Sequence, residues 1–233
     1  MGPVRKVLLI RLDRLGDTLL TTPMIAALRE GLSDLELTLL TSPVGTQVLE
    51  HDPRVDRLVA FDPVGKSLWD VLKLAGEVRR HGYDAVLAIS EKRWPRLITL
   101  LSGARHRIGF DPGASQPLKA LSLRLVLTDR VPSPNDPGRP SALHEVERYM
   151  RLLQPLGIHA QPGPLAMTIG PQDEQWVRGR LDAGGILSGN APLGVHLSPK
   201  WALEGWRPAA LVRCVLCLRD ALPKVPVVVT HSR

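Results

Sequence analysis

The chain has 233 residues, 44% of them hydrophobic and 23% charged, a balance that suits a globular protein of one large domain or one and a half ordinary ones. No apolar run reaches the roughly 18 residues a membrane span needs, and Arg11, Asp13 and Arg14 cut short the amino-terminal apolar stretch, so neither an anchor nor a signal peptide is expected and the default location is cytoplasmic. The net charge of +7 fits an anionic partner, a membrane surface or no partner at all, and dispersed lysines and arginines and 4% aromatic residues argue against nucleic-acid binding.

Lys6–Ile10 (KVLLI) is a short continuous apolar run, the pattern of a strand buried on both faces of a parallel sheet. A polar turn, Arg11–Gly16, follows it, and beyond Asp17 the residues Leu20, Met24, Ala27 and Leu28 have helical spacing. A strand feeding a helix through a glycine puts the turn at the carboxyl edge of the sheet, where open α/β sheets bind ligands. Free N–H groups and the positive end of the helix dipole favour an anion there. Asp17 reads in two ways. It caps a helix that begins there and that Pro23 then kinks. Otherwise the regular helix starts at Pro23, with Thr21 or Thr22 as its cap, and Asp17 is free for chemistry.

Further along, Leu35–Leu40 reads as a second strand, Val44–Glu50 as a short helix and Val55–Phe61 as a third strand. Ser67–His81 has helical spacing and stops at Gly82. Asp84–Ile89 is the fourth strand, Pro95–Leu101 another helix and Arg107–Phe110 a short strand. This alternation predicts a doubly wound parallel sheet. Between Pro112 and Ser141 the pattern weakens, and residues 131–140 form a proline-rich loop. Ala142–Leu156 is a strongly amphipathic helix ended by Gly157, and Ala160–Gly170 reads as a crossover to a second domain. There Asp173–Ala183 is helical, Leu193–Leu197 a strand, Pro208–Leu222 a helix and Val225–Val229 a strand. Cys214 and Cys217 lie in the apolar pattern of that helix and are expected to be buried core thiols.

Three stretches carry a resemblance. Ile10–Pro23 (IRLDRLGDTLLTTP) resembles the amino-terminal signature of glycosyltransferase family 9, the ADP-heptose:lipopolysaccharide heptosyltransferases. His144–Ile158 (HEVERYMRLLQPLGI) is similar to the family's helix before the domain crossover, and Ile108–Asp111 (IGFD) is a third, shorter match. The resemblance implies a GT-B-like α/β architecture of two Rossmann-like doubly wound parallel-sheet domains with a cleft between them. Residues 1–165 would form the acceptor-side domain, and 166–233 the start of a nucleotide-sugar-binding domain, incomplete in this chain. It also implies inverting transfer of a heptose or similar sugar from a nucleotide diphosphate sugar, ADP-heptose, to a lipopolysaccharide core acceptor. That acceptor is a phosphorylated glycolipid at the inner leaflet, so peripheral association with the cytoplasmic membrane face is implied.

In the family the aspartate of the Gly16-Asp17 pair is the general base, and neither metal nor cofactor is needed. Arg11, Arg14 and Arg93 would meet acceptor phosphates, with Gly16 beside them, and the proline-rich loop would help to hold the acceptor. Gly194–Pro208 (GVHLSPKWALEGWRP) corresponds to the loop that holds the donor diphosphate, with Ser198 at the hydroxyl position. Aligned on Trp206, the family's lysine falls on Glu204, whereas Lys200-Trp201 keeps the lysine–tryptophan chemistry at a shifted position. Trp201 and Trp206 either bind substrate or pack between domains. Glu204 and the short second domain leave one alternative, a non-catalytic anion- or nucleotide-sugar-binding GT-B fragment. A nucleic-acid-binding protein would rest on charge alone.

Overall fold

The computed structural model describes residues 2–90, 92–112, 116–133, 143–186, 191–198, 200–201 and 204–231. Strand β1 (Lys6–Arg11) runs through the middle of a sheet, parallel to β2 (Glu36–Thr41) on one side and β4 (Ala85–Ala88) on the other. The alternation of its side chains explains why all of them had to be apolar. Val7 and Leu9 face one core, Leu8 and Ile10 the other, and none of the four is more than 1% exposed. The sheet is completed by β3 (Arg57–Ala60), β5 (His106–Asp111) and β6 (Asp129–Pro132) in the order β3-β2-β1-β4-β5-β6, every pair parallel. The order reverses between β1 and β4, which makes the carboxyl end of β1 the switch point of the sheet.

Helices cover both faces. Met24, Ile25 and Leu28 of α2 (Thr22–Gly31), Val48 and Leu49 of α3 (Pro43–Leu49) and Tyr149 and Met150 of α7 (Glu145–Met150) fill the first core. Val71, Leu74 and Val78 of α4 (Leu68–His81) and Ile98 of α5 (Arg93–Leu101) fill the second. Helix α4 starts at a reciprocal cap, in which Ser67 Oγ accepts the Asp70 N–H and Asp70 Oδ2 accepts the Ser67 N–H. It stops at Gly82, whose φ of 72° suits a residue without a Cβ.

The helix start follows the second reading, with Thr21 as cap, but Asp17 is not left outside regular structure. A short helix α1 (Leu15–Leu19) begins before it with Arg14 at the N-cap, and a separate α2 begins at Thr22 with Thr21 as its cap. Pro23 has no N–H to offer the Leu19 carbonyl, and the Thr22 hydroxyl donates to that oxygen instead, at 2.9 Å.

Three further expectations need correction. The weak stretch after β5 holds helix α6 (Pro117–Val126) and strand β6, while 134–140 of the proline-rich loop lie outside the described residues. The single amphipathic helix expected over 142–156 is α7 followed by a 3-10 helix, Arg151–Leu156, that contains Pro155. Cys214 and Cys217 are exposed, because helix α9 (Pro208–Ala221) has no buried residue. The chain divides into two compact units, Met1–Thr168 and Ile169–Arg233. Among its described residues the second holds α8 (Pro171–Ala183), α9 and a two-stranded parallel sheet of β7 (Leu193–Leu197) and β8 (Val227–His231).

Packing at the carboxyl edge is tightest where α3 meets β2 and α1. A Cβ at Gly45 would collide with Thr41 Oγ1 and come within 2.9 Å of Thr18 Oγ1. Gly45→Ala should therefore cost about 1–3 kcal/mol, seen as a lower urea midpoint with an unchanged slope. A midpoint equal to that of the parent would mean that α3 can shift without penalty.

Candidate active site

At the end of β1 the chain buries a charge. Arg11 has a side chain only 8% exposed, and a guanidinium removed from water is costly unless it is paired and hydrogen-bonded. Its Nη2 lies 3.0 Å from Asp17 Oδ1 and donates to the Tyr149 hydroxyl at 2.8 Å. Its Nε is 3.4 Å from Asp13 Oδ2, near enough for charge pairing although no hydrogen bond forms. The guanidinium carbon also sits 4.9 Å from the centre of the Tyr149 ring. Asp13 in turn takes the ammonium of Lys92 at 2.7 Å. Four charges thus alternate in sign: Lys92, Asp13, Arg11, Asp17.

Of the two carboxylates Asp17 is the more open, with 38% of its side chain exposed against 13% for Asp13. At the third position of α1 it also accepts the Arg14 N–H at 3.3 Å. Arg14 forms part of the wall of an open hollow of about 570 Å³ at the carboxyl edge of the sheet. The hollow is lined by residues 12–15 of the β1–α1 turn, 42–44 at the start of α3, 62–64 after β3, and Lys92. Ser42 locks two of these walls together, its hydroxyl donating to the Asp13 carbonyl at 3.0 Å and accepting the Gly45 N–H at 3.2 Å. Among the described residues no group of three or more His, Cys, Asp and Glu side chains is placed to hold a metal ion.

The structure brings some of the sequence-predicted residues together. Arg11, Arg14, Gly16 and Asp17 share one corner, with Arg14 and Gly16 exposed. Gly16 has no positive φ, and a Cβ there would meet nothing within 4 Å, so the fold itself does not require a glycine. Arg93, also exposed, lies 3.8 Å over the ring of its neighbour Trp94. Ser198, Lys200, Glu204 and Trp206 belong to the second unit. There Ser198 Oγ accepts the Lys200 N–H at 3.3 Å and the Glu204 N–H donates to the Lys200 carbonyl at 2.8 Å. Lys200, Glu204 and Trp206 are exposed, and the Trp206 ring is 6.2 Å from that of Trp201.

Sequence reading missed Asp13, Lys92 and Tyr149. Asp13 sits two residues from Arg11 in a turn without periodicity, and Tyr149 occupies an apolar position of its helix, where it reads as core. Burial pushes the Tyr149 phenol up to about 12; the Glu145 and Asp17 carboxylates add to the effect and Arg11 opposes it.

No family model matches the chain. Lipopolysaccharide heptosyltransferase 3 of Escherichia coli (strain K12) is 26% identical over 175 residues, 73% of this chain and 48% of the relative. The chain therefore spans about half the length of the curated relatives it matches. Among solved structures, a glycosyl transferase family 9 protein from Veillonella parvula superposes with a TM-score of 0.73 at 17% identity, over 99% of this chain and 71% of the other. An E. coli heptosyltransferase solved with ADP-2-deoxy-2-fluoro heptose gives 0.56 at 15% identity, over 97% of this chain and 76% of the other. These likenesses bear out the resemblance to glycosyltransferase family 9 and the GT-B-like α/β fold.

The burial of the tyrosine that Arg11 touches can be checked by titration. The chain has two tyrosines, and burial raises Tyr83 as well. A raised phenol favours the fold fully below the ordinary value near ~10, and that stability is lost as pH climbs from about 10 toward about 12. Ultraviolet titration of the native protein should show tyrosinate later than in the urea-unfolded chain, where both should ionise near ~10. Identical curves would show that neither phenol is buried in solution.

Proposed function

We propose that this protein is a glycosyltransferase that moves a heptose from ADP-heptose to a hydroxyl of a lipopolysaccharide core acceptor, with inversion. The observation that carries the reading is the Gly16-Asp17 corner: a half-open carboxylate, held by a buried guanidinium, beside a hollow at the switch point of the sheet. The names of the relatives supply the substrate class. The acceptor would be a phosphorylated glycolipid at the cytoplasmic face of the inner membrane. Among the described residues no helix is long and apolar enough to cross a membrane.

In the proposed reaction Asp17 takes the proton of the acceptor hydroxyl as its oxygen bonds to the anomeric carbon of the donor sugar. The bond from that carbon to the diphosphate breaks on the opposite face, and ADP leaves with the electron pair. Arg11 is a positioning residue here, since its guanidinium already serves Asp13, Asp17 and Tyr149. The exposed Arg14 and Arg93 are better suited to acceptor phosphates. On the donor side, Ser198 and Lys200 would meet the charge that develops on the diphosphate, with Trp206 beside them. Gly16 leaves room for substrate next to the base.

Two variants test this. Asp17→Asn should lower heptose transfer by ~10²- to 10⁴-fold, measured as ADP release, while unfolding free energy falls by only about 1 kcal/mol. Gly16→Ala should leave stability equal or higher by up to about 1 kcal/mol, because alanine is the better helix former, yet reduce transfer. Normal turnover in Asp17→Asn would leave that carboxylate with a structural role alone. Binding of ADP with no transfer by the parent chain would favour a non-catalytic nucleotide-sugar-binding protein.

A further inference from the structure

The hollow beside Asp17 opens through a rim of apolar residues that the fold does not use. Val64 and Trp69 are each 80% exposed, and Leu15, Val44 and Leu68 also stand in solvent. None of the five belongs to either core cluster. All lie at the carboxyl edge of one sheet: Leu15 after β1, Val44 in the first turn of α3, Val64 in the loop after β3, and Leu68 and Trp69 in the first turn of α4. Leu15, Val44 and Val64 line the mouth of the hollow, and Leu68-Trp69 continues the same loop. Fixed turns present them. Asp62 Oδ1 accepts the Val64 N–H at 2.9 Å, and the Ser67–Asp70 cap sets the start of α4. Apolar side chains held outward in a group mark a surface meant to be covered.

The charges around the rim say what covers it. Its acids are engaged with the protein itself: Asp13 with Arg11 and Lys92, Asp62 and Asp70 with N–H groups of their own turns. Arg14, Lys66 and Lys73 are exposed on the same segments, and Arg93 is exposed next to Lys92 of the hollow's lining. Tryptophan flanked by aliphatic residues and lysines suits the boundary between lipid headgroups and acyl chains, and the cations suit an anionic leaflet. A second copy of the chain docking on this rim would bring like charges together across a two-fold axis, which disfavours that occupant.

We propose that the rim docks on the surface of an anionic phospholipid bilayer, with Trp69 and Leu68 in the interface and the hollow beside Asp17 opening onto the headgroup layer. The proposal deepens the functional reading above and rests on it for the orientation of the site: a glycolipid acceptor would then reach the base without leaving the membrane.

The test uses the 233-residue chain and vesicles, with no catalysis required. The parent should sediment with vesicles of phosphatidylethanolamine and phosphatidylglycerol, weakly with phosphatidylcholine alone, and less as salt rises. Leu68→Ser/Trp69→Ser should bind the anionic vesicles about tenfold less or worse, with an unchanged melting temperature because both side chains are exposed. Bromine-labelled acyl chains should quench part of the tryptophan emission of the parent, and Trp69→Phe should lose that part while still sedimenting. Equal sedimentation of the double variant, no binding by the parent, or a parent dimer that the double variant abolishes would each overturn the proposal. Transfer to a soluble acceptor lacking acyl chains separates the two readings. Vesicle binding without any transfer sinks the activity and keeps the docking surface. Transfer with equal rates on vesicle-borne acceptor for parent and double variant does the reverse.

Discussion

A buried guanidinium at the end of the central strand is the constraint on which the candidate site depends. Arg11 closes the pairing of β1 with β2 and its side chain is buried, so it cannot stay unpaired. Asp13 and Asp17 come from the turn and helix that follow it, while Tyr149 reaches it from 138 residues away. The first core is thus not the only tie between α7 and the sheet. With Lys92 included, the group has two cations and two carboxylates, so the local field is close to neutral and no member need be displaced to relieve repulsion. Of the two carboxylates, Asp17 is the one that keeps substantial contact with solvent.

How much of this was legible depends on how local the cause was. Strands β1 and β4 were readable because burial on both faces demands unbroken apolar runs, and helix α4 because its cap, period and terminal glycine agree. Helix α6 was not, since it turns Leu118, Leu121 and Leu125 to solvent and buries Leu123, inverting the pattern that sequence reading relies on. Pro155 sat in plain view, but the apolar spacing around it outweighed the missing N–H that ends regular α-helix there. Arg11 read as a surface cation for acceptor phosphate because nothing within its own turn announces the tyrosine that covers it. The Gly16-Asp17 corner was legible only through resemblance; generic chemistry would have made Asp17 a helix cap.

The two units differ in the precision they can offer. The first holds Asp17 on a sheet packed on both faces, where a carboxylate can be kept within hydrogen-bond reach of a substrate hydroxyl. In the second, α8 and α9 bury no residue and the described strands number two, and Ser198, Lys200 and Trp206 lie on or beside the loop after β7. The proposed chemistry tolerates that asymmetry. Proton transfer fails when the base is displaced by about an ångström, whereas a lysine on a flexible four-carbon stem can follow a diphosphate through small shifts of its loop.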